Sequence, residues 1–218
     1  MKFEIPYKAA IFDLDGTLID SWPSLVATLH AHLPGQPLDL RRLKQELSAG
    51  IAPMFALAMA QAAISTEQQA REHAQLLARY LNDFLLDASL YPGVPELLTQ
   101  VQAAGARIGI CTNRDRASAL RLLRHHGLDA AVDALICLGD TAHPKPHPQP
   151  LHACLAQLST SPGETLFVGD SCIDAQCAHA AGVPFAAHLC GYHRHLNELS
   201  PAALRFESFT QLARLLGC

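Results

Sequence analysis

Apolar and polar positions along the chain follow two rhythms, and the change between them divides it. Ala9-Ala10-Ile11-Phe12 is continuously apolar and runs into Asp13-Leu14-Asp15-Gly16-Thr17-Leu18. Such a run predicts a short strand buried on both faces of a parallel sheet, delivering two carboxylates at its carboxyl end, where ligands of such sheets sit. After Leu18 the spacing becomes helical. Leu25, Val26, Leu29 and Leu33 share a face, with Asp20 or Ser21 as cap and Pro23 in the first turn, until Pro34-Gly35 stops the segment. Residues 38–47 give a second amphipathic piece, broken by Ser48-Ala49-Gly50. Pro53 suits the first turn of a third helix through Met54, Leu57 and Met59, and Thr66-Glu67 opens a longer one through Leu76, Leu77, Tyr80, Leu81 and Phe84. Four helices and no strand are therefore predicted between Leu18 and about Leu86.

Tyr91-Pro92-Gly93-Val94-Pro95 punctuates the chain, and an alternation of strands and helices follows. Leu97, Leu98 and Val101 form a helix face closed by Gly105. Strands are predicted at Arg107-Ile108-Gly109-Ile110-Cys111, Ala134-Leu135-Ile136-Cys137, Thr165-Leu166-Phe167-Val168 and Val183-Pro184-Phe185-Ala186-Ala187. Between them fall a helix capped by Asp115 and ended at Gly127, a helix over 150–158, and one over 172–181 ended by Gly182. A last amphipathic helix covers 209–216. Parallel strands need crossovers, so this alternation predicts an α/β protein with helices on both faces of one sheet. The core comprises residues 1–17 and 87–218, and the all-helical segment 18–86 is an insertion after the first strand.

Composition narrows the field. With 50% hydrophobic and 17% charged residues the chain is neither disordered nor fibrous. A formal charge of -4 leaves no basic stripe for nucleic acid, and no apolar run approaches membrane-spanning length. The first residues lack the apolar core of a signal peptide, so a cytoplasmic location is expected. Seven scattered cysteines show no paired zinc spacing and read as reduced, mostly buried thiols. Among twelve histidines, His143 with His147 and His193 with His195 invite a metal reading, but prolines separate the first pair and a polar loop holds the second.

Four polar clusters fall at predicted strand ends, and each has an ordinary structural explanation beside a chemical one. Asp13-Leu14-Asp15-Gly16 could be an Asp-Gly turn, or two carboxylates given different jobs by the turn at Gly16. Cys111-Thr112-Asn113-Arg114 could be a helix cap, or a hydroxyl and an amide suited to a phosphate oxygen. Lys145 in His143-Pro144-Lys145-Pro146-His147-Pro148 is a surface lysine, or an ammonium stiffly presented to offset the charge of a nucleophile and a phosphoryl group. In Gly169-Asp170-Ser171-Cys172-Ile173-Asp174 the two acids are helix caps, or they join Asp13 and Asp15 around a cation. Four carboxylates brought together repel one another, and a hard divalent ion with oxygen ligands removes that cost, so a magnesium site is the natural resolution.

Taken in order, Asp13-Leu14-Asp15-Gly16-Thr17, Thr112-Asn113, Lys145-Pro146, and Gly169-Asp170 with Asp174 resemble the four motifs of the haloacid dehalogenase superfamily of phosphotransferases. Tyr91-Pro92-Gly93-Val94, Lys145-Pro146-His147-Pro148 with Leu151, Ala180-Ala181-Gly182 and Gly191-Tyr192 are similar to its phosphoglycolate phosphatase branch. The resemblance covers nearly all the core but only the helical character of the insert. It implies a Rossmann-like sheet with a helical cap. It further implies Asp13 as the nucleophile that forms an aspartyl phosphate and Asp15 as the acid and base. The Mg2+ would be held by Asp13, the Asp15 backbone carbonyl and Asp170, with Asp174 in support. Thr112, Asn113 and Lys145 would hold the transferring group. An acid at Asp15 argues against a dehalogenase.

The leading expectation is thus a Mg2+-dependent phosphatase acting on a small phosphate ester, without nucleic-acid or membrane partners. A phosphomutase of the same branch is the closest alternative, and a noncatalytic phospholigand-binding protein is a third. Ser48, Gly50 and Ile51, in the break between insert helices, are positioned to face the substrate, with Arg41, Arg42 and Lys44 as nearby cations that a solvated helix face explains equally well. Oligomeric state is left open.

Overall fold

A computed structural model describes residues 6–83 and 87–217. Residues 1–5, Phe84 of the fourth predicted helix face, the boundary at residue 86, and Cys218 lie outside the described residues. The first strand, β1 (Ala9–Phe12), leads into a two-residue strand β2 (Ile19–Asp20) and then four helices, α1 (Trp22–His32), α2 (Leu40–Glu46), α3 (Ile51–Gln61) and α4 (Thr66–Asp83). A second two-residue strand, β3 (Ser89–Leu90), returns the chain to α5 (Val94–Ala103). The alternation follows as β4 (Arg107–Asp115), α6 (Arg116–His125), β5 (Ala134–Leu138), α7 (Gln149–Gln157), β6 (Thr165–Gly169), α8 (Cys172–Ala181), β7 (Phe185–His188), β8 (Leu204–Phe206) and α9 (Phe209–Leu215).

The main sheet has six parallel strands in the order β5-β4-β1-β6-β7-β8. In β1 the side chains alternate between two apolar clusters. Ala9 and Ile11 pack with Cys154, Leu155, Phe167 and Ala178 toward α7 and α8, whereas Ala10 and Phe12 face Leu97, Ile110, Val168 and Phe209 toward α5 and α9. Burial on both sides explains why a run with no polar position is a strand at all. The second cluster continues through Leu14, Leu18 and Ile19 into Leu25, Leu43, Phe55, Leu76 and Tyr80 of the inserted helices. Helices and sheet therefore share one unbroken apolar mass on that face.

Three details depart from the sequence reading. The base of the insert carries strand pairing, with Ile19 opposite Leu90 and Asp20 opposite Ser89 in an antiparallel ribbon, where no strand was expected. Two residues are too few to show a period of two. The sheet also gains β8, whose Leu204-Arg205-Phe206 is similarly short. Finally, β4 runs past Cys111 through Thr112, Asn113 and Arg114 to Asp115, with a register shift against β5 between Cys111 and Asp115. The polar cluster expected at the strand's end thus lies within the strand, at this irregular stretch.

Candidate active site

Because β1 lies between β4 and β6, the carboxyl ends of three neighbouring strands open onto one place. Phe12 is in register with Ile110 and Val168, and the Asp13 N–H donates to the Val168 carbonyl at 2.9 Å. Asp13 thus leaves the strand in a fixed direction. The turn that follows needs Gly16, whose φ is +85°, and a Cβ there would run into the Asp170 side chain. A Cβ at Gly191 would run into the same side chain.

All seven residues singled out by the sequence, Asp13, Asp15, Thr112, Asn113, Lys145, Asp170 and Asp174, line a single cavity of about 280 Å³. Lys145 Nζ is its electrostatic centre, donating at 2.7 Å to Asp13 Oδ1 and at 2.7 Å to Asp174 Oδ1. This lysine is only 4% exposed, so its ammonium has little water to solvate it and the two carboxylates must do so instead. Burial alone disfavours its charge, but Asp13 and Asp174 outweigh burial and hold its pKa well above the usual lysine value.

Carboxylate oxygens of Asp13, Asp170 and Asp174, all buried, lie within 4.8 Å of one another. Burial first, then the charge of Asp174, pushes the Asp13 carboxyl up, against the pull of Lys145. Asp170 is pushed well up by burial and then by Asp174 and Asp13. One lysine therefore leaves the group short of positive charge. Its donors are all carboxylate oxygens, the set that a hard divalent cation prefers, and they fit a metal of that kind. Both Asp170 oxygens are already aimed, Oδ1 by the Thr17 hydroxyl at 2.7 Å and Oδ2 by the Tyr192 N–H at 2.7 Å. Asp174 also serves α8. Its Oδ2 accepts from the Ser171 N–H at 3.1 Å while the Ser171 hydroxyl accepts from the Asp174 N–H at 3.3 Å, a reciprocal cap.

Asp15 stands apart, and this corrects the picture of four carboxylates converging. Its side chain is not among the three that cluster. It takes a forked ion pair from Arg114, with Nε to Oδ2 at 2.9 Å and Nη2 to Oδ1 at 2.6 Å, and the Ser21 hydroxyl donates to Oδ1 as well. Burial pushes the Asp15 carboxyl up, but the charge and hydrogen bonds of Arg114 and the Ser21 hydroxyl outweigh it and hold the group below its ordinary value. Arg114 in turn contacts the Tyr80 hydroxyl from α4, so this second ion pair joins the sheet to the insert.

Thr112 and Asn113 lie where the sequence puts them, but Asn113 is already engaged. Its amide donates to the Lys145 carbonyl at 2.8 Å and its Oδ1 accepts from the Lys145 N–H at 3.0 Å. It clasps the loop that presents the ammonium, beside a cis Lys145-Pro146 bond. In this arrangement Asn113 is a positioning residue for Lys145. Thr112 Oγ1 accepts from the Arg114 N–H at 3.1 Å.

From the insert, Ser21, Leu25, Leu47, Gly50, Ile51, Leu77, Tyr80 and Leu81 complete the wall. Ser48 does not line it, and its hydroxyl donates to Glu198 at 2.8 Å. Arg41, Arg42 and Lys44 are likewise absent from the lining. Sequence reasoning gave no part in the site's chemistry to Arg114, Ser21, Tyr80 or Tyr192. A cation directly after Thr112-Asn113 was the available signal for the first. A tyrosine on an apolar helix face, whose hydroxyl needs a partner when buried, was the signal for Tyr80.

A six-stranded parallel sheet with a carboxylate and lysine site at its strand ends defines a class of hydrolases. A family profile for haloacid dehalogenase-like hydrolases matches residues 10–188, and the chain belongs to that family. It is 40% identical to a phosphoglycolate phosphatase of Rhodospirillum rubrum, covering 96% of this chain and 91% of the relative. It is 31% identical to an N-acetylmuramic acid 6-phosphate phosphatase of Pseudomonas aeruginosa, over 85% of this chain and 83% of the other. Among solved structures, a predicted phosphoglycolate phosphatase from Haemophilus somnus superposes with a TM-score of 0.85 at 25% identity, covering 96% of this chain and 98% of that one. Among the described residues no helix is long and apolar enough to cross a membrane.

Proposed function

We propose that this chain is a Mg2+-dependent phosphatase that hydrolyses a small phosphomonoester of the phosphoglycolate type through an aspartyl phosphate. The observation that carries the reading is Lys145 Nζ bridging Asp13 and Asp174 beside Asp170 in one cavity. Lys145 holds Asp13 by Oδ1, which fixes the carboxylate while its other oxygen attacks phosphorus. The bond from phosphorus to the ester oxygen breaks as the bond to Asp13 forms, and a proton from Asp15 goes to the departing alkoxide. Asp15 then takes a proton from water, the water oxygen bonds to phosphorus as the bond from Asp13 to phosphorus breaks, and inorganic phosphate leaves with the Asp13 carboxylate restored. Held by Arg114 and Ser21, Asp15 is in the carboxylate form that this second half requires, and the first half requires that grip to loosen.

Asp13, Asp170 and Asp174 would hold the Mg2+, which when bound offsets the charge of the phosphoryl group and aligns it for attack. The insert, residues 18–86, acts as the cap that keeps bulk water from the nucleophile. In the test, purified protein with Mg2+ releases phosphate from phosphoglycolate, and Asp13→Asn lowers kcat by about 10⁴-fold or more, the scale on which loss of a nucleophile is felt. Equal rates for the two proteins across a panel of phosphomonoesters would refute the reading.

A further inference from the structure

The cavity wall is sharply divided in chemistry. Of its cationic side chains, Lys145 is held between Asp13 and Asp174, and Arg114 is the other. The side chains from the insert are Leu25, Leu47, Ile51, Leu77 and Leu81, with two hydroxyls, that of Ser21 donating to Asp15 and that of Tyr80 accepting from Arg114. A second anionic group on a substrate, placed against those leucines, would lose its hydration without compensation. Of the two lining cations, Lys145 is already shared by two acids, and the Arg114 guanidinium has the fork that matches a carboxylate.

The position of that fork limits the substrate. Arg114 grips Asp15 at 2.6 and 2.9 Å, and Asp15 is the group that must reach the ester oxygen. The guanidinium therefore lies one hydrogen bond beyond the atom that serves the leaving group. In a phosphomonoester of a 2-hydroxy acid the carboxylate is joined to the carbon that bears the ester oxygen, so its oxygens lie roughly 3 Å from it by standard bond lengths. That short span suits an anion exchanging with Asp15 on the same guanidinium.

We infer that Arg114 is the specificity residue of the site, that it binds a carboxylate on the carbon bearing the phosphate, and that in doing so it yields its grip on Asp15. The inference rests on the phosphatase reading above. The Tyr80 hydroxyl steadies Arg114 from α4, which makes recognition of the leaving group a joint act of sheet and insert. The leucines of the cavity wall accept a bare or methyl-bearing carbon and disfavour further charge.

The experiment compares kcat/KM on phosphoglycolate, its uncharged counterpart ethyl phosphate, and the cationic phosphoethanolamine, all with Mg2+. Wild type should prefer phosphoglycolate to ethyl phosphate by about tenfold or more, with phosphoethanolamine slowest, because a site built to pair a group rejects an analogue lacking it. Arg114→Met should slow both of the first two substrates but bring their ratio close to one, and Arg114→Lys should restore part of it. Tyr80→Phe should lower the ratio a few-fold, mainly through KM for phosphoglycolate. A wild-type ratio near one would overturn the inference. So would equal losses on both substrates in Arg114→Met, or in Arg114→Lys should the first variant not fold, for Arg114 would then merely hold Asp15. Failure of the phosphatase reading looks different, since no substrate would be turned over and Asp13→Asn would match wild type.

Discussion

The floor and the roof of the cavity are built on opposite principles. The floor, from the ends of β1, β4 and β6 and the loop after β5, is charged and buried, and its polar atoms point at one another: Lys145 at two acids, Asn113 at the Lys145 backbone, Thr17 at Asp170. The roof, from α1, α3, α4 and the turn before α3, is mainly aliphatic. In the proposed function the Lys145 network, held under strands joined by backbone hydrogen bonds, needs little reorganisation when a phosphate arrives, which favours the transition state. An aliphatic surface can exclude water and reject charge but cannot hold an anion in register. On the proposed function, this division would leave chemistry to the sheet and selection to the insert, with Arg114 and Tyr80 at their junction.

The strongest way to break this division is to disarm the floor and leave the roof alone. Asp170→Asn keeps the shape but removes one of three clustered carboxylates. Metal affinity should fall at least as far as the roughly 100-fold that loss of a mere supporting contact can cause, with activity recovering as Mg2+ is raised. In the absence of substrate, the melting temperature of wild type should rise with Mg2+ and that of the variant should not, since an ion bound only by the native state stabilises it by mass action. Equal thermal responses would place the metal elsewhere.

A smaller effect comes from beneath the floor. His188 in β7 is 1% exposed, and its Nδ1 donates to the Gly16 carbonyl at 2.9 Å while Phe206 stacks on its ring. Burial pulls its pKa from 6.5 down to about 4, against the support of the Gly16 carbonyl. The unfolded chain therefore binds a proton between those values that the native state refuses, so stability rises with pH across that window and is lost as pH falls from 6.5 toward 4. The loss amounts to about 3 kcal/mol. Urea unfolding of wild type and His188→Asn at pH 7 and pH 4.5 should show a smaller pH-dependent drop for the variant. Equal drops would mean that His188 bears no part of the acid sensitivity.

What the sequence revealed of this arrangement follows from how local each signal is. Three strand ends were readable because an apolar run ending in a polar cluster is a feature of adjacent residues, Lys145 was readable from its flanking prolines, and the parallel sheet followed from the alternation. The Asp15 ion pair was not readable, because Arg114 is 99 residues away and meets it only once β4 lies beside β1. Asp20 or Ser21 was expected to cap the first insert helix. Ser21 occupies the cap position of α1, but its hydroxyl serves Asp15, and Asp20 accepts from the Trp22 N–H instead. Ser48 was expected to face the substrate and binds Glu198, since polarity in a turn does not tell which surface will cover it.

Ser48 introduces the smallest expected effect, which sharpens the role of the roof. The turn before α3 is tied to the core on two sides. Glu198 accepts from the Ser48 hydroxyl at 2.8 Å and from the Arg194 N–H at 3.0 Å, and Arg194 reaches Glu46 at 2.8 Å and the Gln45 carbonyl at 3.2 Å. The Cys172 thiol, at the start of α8, donates to the Ser48 carbonyl at 3.0 Å. The Arg194 and Glu46 side chains remain about one third exposed, so solvent screens their attraction and removing it should cost no more than about 0.5 kcal/mol of stability. Function can respond more than stability, because Leu47 and Ile51 flank these contacts and form part of the roof. Arg194→Met should raise KM for phosphoglycolate two- to threefold by letting that edge swing away, leaving kcat close to wild type if chemistry limits the rate. If kcat instead rises while KM holds, release of product past this edge limits turnover and the roof acts as a gate. If neither moves, the edge is inert and selection rests on the junction at Arg114 and Tyr80.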